Sequence, residues 1–101
     1  MDLTAKKFEV VFEMARAMLS FDSDDRLTFT IIEKDGNAWN ESETVNIKTV
    51  ELRPQLLLIT WKEKSGTTVT QVHDYEHETI YSNWTTPGGD FSNRKGTLKQ
   101  V

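Results

Sequence analysis

Turn-forming residues interrupt this chain at intervals of roughly 8–12 residues, and that spacing limits the fold more than any other feature. Asp35-Gly36, Pro54, Lys64-Ser65-Gly66 and Pro87-Gly88-Gly89-Asp90 are the clearest breaks. Most of the runs around them carry strand chemistry, with β-branched and aromatic residues in alternation. Leu27, Phe29 and Ile31 alternate with Thr28 and Thr30, the period of a half-buried strand. Thr44 to Leu52 places Val45, Ile47 and Thr49 on one face, and Pro54 ends the run because it cannot donate to a ladder. Leu56 to Glu63 is nearly continuous apolar sequence closing on Trp61. With Thr67 to Tyr75 it forms a predicted β-hairpin. Thr79 to Trp84 is a further strand, and Phe91 to Val101 a weaker last one with Gly96 as a candidate bulge.

The N-terminal third fits two readings. Val11, Met14, Ala15 and Met18 have helical spacing. Phe8, Val10 and Phe12 also alternate on even numbers, and Ala15, Ala17, Leu19 and Phe21 on odd numbers. A turn or bulge at Glu13-Met14 would reconcile those phases as two strands. The total is about eight short strands, the pattern of an all-β sandwich or antiparallel β-barrel forming one domain over residues 1–101.

Charge and composition exclude several function classes. Twelve Lys+Arg against sixteen Asp+Glu give a net charge of −4. The basic pairs Lys6-Lys7 and Arg94-Lys95 are too short for a phosphate-binding footprint, so no nucleic-acid partner is expected. A mean hydropathy of −0.54 and the absence of a long apolar run give no membrane expectation. There is no cysteine, which rules out disulfides, thiolate zinc sites and a cysteine nucleophile. The N-terminal residues lack the apolar stretch of a secretory signal, so the cytoplasm is the expected compartment. No cofactor motif, phosphate loop, serine elbow or zincin helix is present in the sequence.

The segment Val50-Glu51-Leu52-Arg53-Pro54, the hairpin Thr60-Trp61-Lys62-Glu63 with Gly66-Thr67-Thr68-Val69, and the continuation His73-Asp74-Tyr75-Glu76, Ile80-Tyr81-Ser82-Asn83 and Gly96-Thr97-Leu98 resemble the MoaF-related family of lipocalin-like (calycin) proteins. The resemblance spans nearly the whole chain and is most specific in the Trp61 hairpin. It implies a small antiparallel lipocalin-like β-barrel and strands in the N-terminal third. The same hairpin is more distantly similar to one in phenolic acid decarboxylases. Those enzymes use tyrosines of an N-terminal strand, an Arg and a Glu inside the barrel. This chain has no tyrosine before Tyr75, and only Arg53 and Glu51 stand near the position of the enzymatic acid.

Candidate site residues follow from the hairpin register. If Lys64-Ser65-Gly66 is a three-residue turn, Trp61 faces Val69, Ile59 faces Gln71 and Leu57 faces His73. A two-residue turn would break that grouping. In a barrel the grouping puts Trp61, Gln71, His73 and Tyr81 on a ligand-lining wall. The plainer alternative is that Trp61 plugs the floor while Gln71 and His73 face solvent. Glu51 follows the Val45-Ile47-Thr49 face and is expected to point inward as an acid–base group, or to pair with Arg53 at the strand end. His73 and His77 on one strand would stand about 13 Å apart, too far for one ion, so no metal site is expected.

The leading functional expectation is non-catalytic binding of a small apolar or aromatic molecule. A lyase-type enzyme using Glu51 or His73 is one alternative. The other is a homodimeric interaction module anchored by Trp39 and Trp84, which otherwise fold back over the barrel ends.

Overall fold

A computed structural model describes residues 2–101, and among them eight strands close into one barrel. They are β1 (Lys7–Val11), β2 (Ala15–Ser23), β3 (Arg26–Lys34), β4 (Asn37–Arg53), β5 (Leu56–Lys62), β6 (Thr68–Asp74), β7 (Thr79–Thr85) and β8 (Phe91–Gln100). Each strand pairs antiparallel with its sequence neighbours, and β8 returns to β1 to close the ring. No helix long and apolar enough to cross a membrane occurs among the described residues.

The N-terminal third is therefore two strands. β1 and β2 pair from Lys7 opposite Ser20 to Val11 opposite Arg16, with the phase change taken up between Phe12 and Ala15. Helical spacing loses here because the even-numbered and odd-numbered apolar sets bury on one common wall. Phe8, Val10, Leu19 and Phe21 are all core residues.

Turn chemistry sets the other registers. Asp35 and Gly36 both have positive φ, as a two-residue hairpin requires, and join Lys34 directly to Asn37. Pro54 with Gln55 at φ 69° makes the turn from β4 to β5. The β5–β6 loop is the three-residue Lys64-Ser65-Gly66. Glu63 N–H donates to Thr67 O, and Gly66 supplies the φ of 95° that closes it.

Two features differ from the expectation. First, β4 begins at Asn37, although the polar run Asn37–Glu43 carries little strand signal. It pairs with β3 through Asn37–Asn46 and with β5 through Ile47–Arg53. This hand-over between neighbours is the stagger that a closed barrel needs. Second, Gly96 is not a bulge: the β7–β8 register runs unbroken through it. A Cβ at Gly96 would lie 2.2 Å from Val11 O and 2.8 Å from Phe12 Cδ1. Glycine is there because β1 passes so close.

One end of the barrel is sealed. Leu3 is buried there, held by hydrogen bonds from Lys6 N–H to Leu3 O and from Ala5 N–H to Phe21 O. Beneath it Phe8 meets Phe21 edge to face at 6.0 Å and Tyr75 at 5.0 Å. The other end, formed by the β1–β2, β3–β4, β5–β6 and β7–β8 loops, is open.

Candidate functional site

Inside the open end lies a cavity of about 350 Å³. Phe12, Phe29, Trp61 and Trp84 supply its aromatic lining, and Gln71 and Ser82 its inner polar groups. Lys34, Glu41 and Glu63 are its charged residues. Strand alternation puts them there: Trp61, Val69 and Trp84 form one row across β5, β6 and β7, and Ile59, Gln71 and Ser82 form the next.

The aromatic residues come in two pairs. Phe29 stacks on Trp61 at 6.1 Å, and Phe12 meets Trp84 edge to face at 6.2 Å. The Trp61 indole Nε1 donates to Glu63 Oε2 at 3.2 Å, which fixes the ring against the wall. Partial burial raises the Glu63 pKa, and the nearby Glu43 and Glu41 charges push it the same way against the Trp61 hydrogen bond.

The polar residues of the inner wall form one network. Gln71 Nε2 donates to Ser82 Oγ at 3.1 Å. His73 Nε2 lies 2.8 Å from Gln71 Oε1, and His73 Nδ1 lies 2.9 Å from the Tyr75 hydroxyl. His73 is fully buried, and burial pulls its pKa down to about 3. The ring is therefore neutral at physiological pH.

The sequence-predicted residues separate into three places. Trp61 and Gln71 line the cavity, with Trp61 opposite Val69 and Ile59 opposite Gln71. His73 points inward opposite Leu57, but it lies in the core below the cavity, not in its lining.

Tyr81, Glu51 and Arg53 are elsewhere. Tyr81 is on the outer face, because its neighbours Ile80 and Ser82 take the inner positions. There it lies under the Lys95 ammonium at 5.5 Å, beside a shallow external groove. Glu51 is opposite Leu57, yet it is exposed, because β3 begins opposite Asn46 and leaves this end of β4 uncovered. Arg53 is exposed at the β4–β5 turn.

His77 is exposed and bonded through Nδ1 to Asp74 Oδ2 at 2.9 Å, well apart in environment from buried His73. No group of three metal-ligating side chains lies together among the described residues.

Sequence reasoning missed Ser82 and Tyr75. The signal for Ser82 was its parity with Ile80, obscured by the more conspicuous Tyr81 and Trp84. Tyr75 lies past the last residue of β6, where alternation no longer predicts direction. Trp84 is partly buried in the cavity wall beside Phe12, and Trp39 is exposed on β4.

A family model described as MoaF-like matches residues 4–99. The chain belongs to the MoaF-like family. Among solved structures, it is similar to one described as "Crystal Structure of a putative beta-lactamase from Burkholderia vietnamiensis". The TM-score is 0.89 at 24% identity, covering 98% of this chain and 95% of that one. At that identity the likeness establishes the shared barrel fold. A comparison with curated proteins finds no match.

Proposed function

We propose that this MoaF-like barrel is a non-catalytic binding protein that holds a small apolar or aromatic molecule in its open end. The observation that carries this reading is the cavity of about 350 Å³ walled by Phe12, Phe29, Trp61 and Trp84. Such a site combines apolar lining with a few convergent polar groups, and its volume is at the small end of the roughly 300–1,000 Å³ range of ligand pockets. The lyase-type alternative gains nothing from the placement of its residues. Glu51 is exposed outside the cavity, and His73 is buried with both ring nitrogens engaged.

Titration with flat aromatic heterocycles, followed by tryptophan fluorescence, tests the reading. A saturable change is expected in the wild type and its loss in Ala17→Phe, because Ala17 lines the cavity and a phenyl ring there fills it. An unresponsive wild type, or an unchanged response in Ala17→Phe, counts against it.

A homodimer is a second reading, favoured by one observation. Val50, Leu58, Val72 and Tyr81 follow one another across four strands on the outer face. Val50 and Tyr81 are about half exposed, as is Leu52 beside them. A twofold axis through such a stripe would bury it against its own copy. Sedimentation at micromolar concentration should then show a dimer, and a monomer would argue against it.

A further inference from the structure

The polar network of the inner wall has a direction that can be read from end to end. The amide oxygen of Gln71 only accepts, so the His73 nitrogen facing it, Nε2, carries the proton. A neutral imidazole has one N–H, which makes Nδ1 an acceptor for the Tyr75 hydroxyl. Burial raises the Tyr75 pKa, so that hydroxyl keeps its proton to donate. At the other end the Gln71 amide N–H donates to Ser82 Oγ. Each bond thus points the same way, from the sealed end towards the open end. The hydrogen of Ser82 is the one left over. It makes no bond among the described residues, and Ser82 lines the cavity.

Charge narrows the choice of acceptor. The inner part of the lining holds no ionised group, because Gln71 and Ser82 are neutral and the nearest ring of the network, His73, is neutral too. The charged lining residues are Glu41 and Glu63 against a single Lys34, whose Nζ sits 5.1 Å over the Trp39 ring. A carboxylate pushed in to Ser82 would lose its water without gaining a counter-charge, whereas a neutral oxygen would lose far less.

We propose that the cavity selects neutral, flat aromatic molecules carrying a carbonyl oxygen at their inner end, where it accepts the hydrogen bond of Ser82 Oγ. The inference rests on the binding reading above and specifies the ligand class. The aromatic lining provides the stacking surface, and the buried network fills one lone pair of Ser82 Oγ, which leaves its O–H to donate into the cavity.

The test uses the full chain and three probes of similar size: 2-quinolone, naphthalene and 2-naphthoate. Binding is followed by the Trp61 and Trp84 indole N–H resonances in NMR titrations. The neutral lactam should bind about tenfold tighter than naphthalene, the order expected for one buried hydrogen bond, and 2-naphthoate more weakly than the lactam. Ser82→Ala should erase the advantage of 2-quinolone while leaving naphthalene affinity within about twofold. A separate measurement needs no variant: the ¹⁵N shifts of His73 should report the Nε2–H tautomer.

If 2-naphthoate or naphthalene binds as tightly as 2-quinolone, or if His73 is in the Nδ1–H form, the carbonyl inference fails while the binding reading stands. If no probe shifts either indole, both fail together.

Discussion

At the sealed end of the barrel Phe8, Phe21, His73 and Tyr75 meet ring against ring beneath Leu3. At the open end Phe29 with Trp61, and Phe12 with Trp84, leave a cavity between the strands. Both ends are rich in aromatic side chains, so aromatic content does not explain why one is filled. The difference lies in two additions. Residues 3–6 fold back ahead of β1 and place Leu3 over the sealed end. The His73–Tyr75 pair also fills that end with hydrogen-bonded rings. The open end has loops in place of a plug, and its large rings reach the mouth. A chain of 101 residues thus has enough side-chain volume to pack one end of a barrel solidly, and it leaves the other hollow.

Truncation experiments should expose this asymmetry most strongly. Phe21 is 1% exposed, and Phe21→Ala should cost about 3–5 kcal/mol because the cavity it leaves has no room to collapse. Trp84 is only partly buried beside an existing cavity, so Trp84→Ala should cost less, about 1–2 kcal/mol, while weakening the response to aromatic probes. Equal losses in urea unfolding would remove the distinction between the ends.

The second expected effect is a pH dependence located at the sealed end. His73 titrates near 6.5 when unfolded and near 3 when folded, so between those values the unfolded chain binds the extra proton. Its contribution to stability is complete above about pH 6.5 and is lost as pH falls towards 3. The slope is at most about 1.4 kcal/mol per pH unit. Wild type should lose stability on acidification more steeply than His73→Gln, measured by urea unfolding from pH 7 to pH 4. The Asp74–His77 pair and Glu63 are shared by both proteins, so the difference in slope isolates His73. Parallel pH profiles would mean that the imidazole is not sealed from water.

The smallest effect is expected outside the barrel. Tyr81→Ser removes an exposed ring and its contact with Lys95, and should change stability by no more than about 0.5 kcal/mol. Probe affinity should be unchanged, since Tyr81 lies outside the cavity. A large loss of affinity would place the binding surface on the outer face and reverse the comparison between the two ends.

Much of this architecture was legible in the chain. Alternation in β3, β5 and β6 and the Asp35-Gly36 turn pointed to an all-β fold, and the family resemblance pointed to a barrel rather than a sandwich. A three-residue loop at Lys64-Ser65-Gly66 implied the Trp61–Val69, Ile59–Gln71 and Leu57–His73 pairings that are observed. Those are local properties, set by side-chain period and turn dihedrals. Glu51 shows where local rules stop. Its parity is inward, but the stagger of β4 leaves its end uncovered, and stagger depends on how all eight strands close. Tyr81 departs from the expectation for a simpler reason: Ile80 and Ser82 take the inner positions of β7, and alternation then turns Tyr81 outward.

By itself, then, the sequence determined the strands from β3 onward, the main turns and most of the inner faces, because each depends on residues only a few positions apart, while the N-terminal third fitted helix and strand alike. The tertiary structure alone decided which end is plugged, that Gly96 clears a path for β1, and that Tyr75, His73, Gln71 and Ser82 join into one directed chain. The first two depend on contacts between residues distant in sequence, Ala5 with Phe21 and Gly96 with Val11. The polar chain joins residues two and eleven positions apart along β6 and across to β7, and it is the surrounding barrel that buries it.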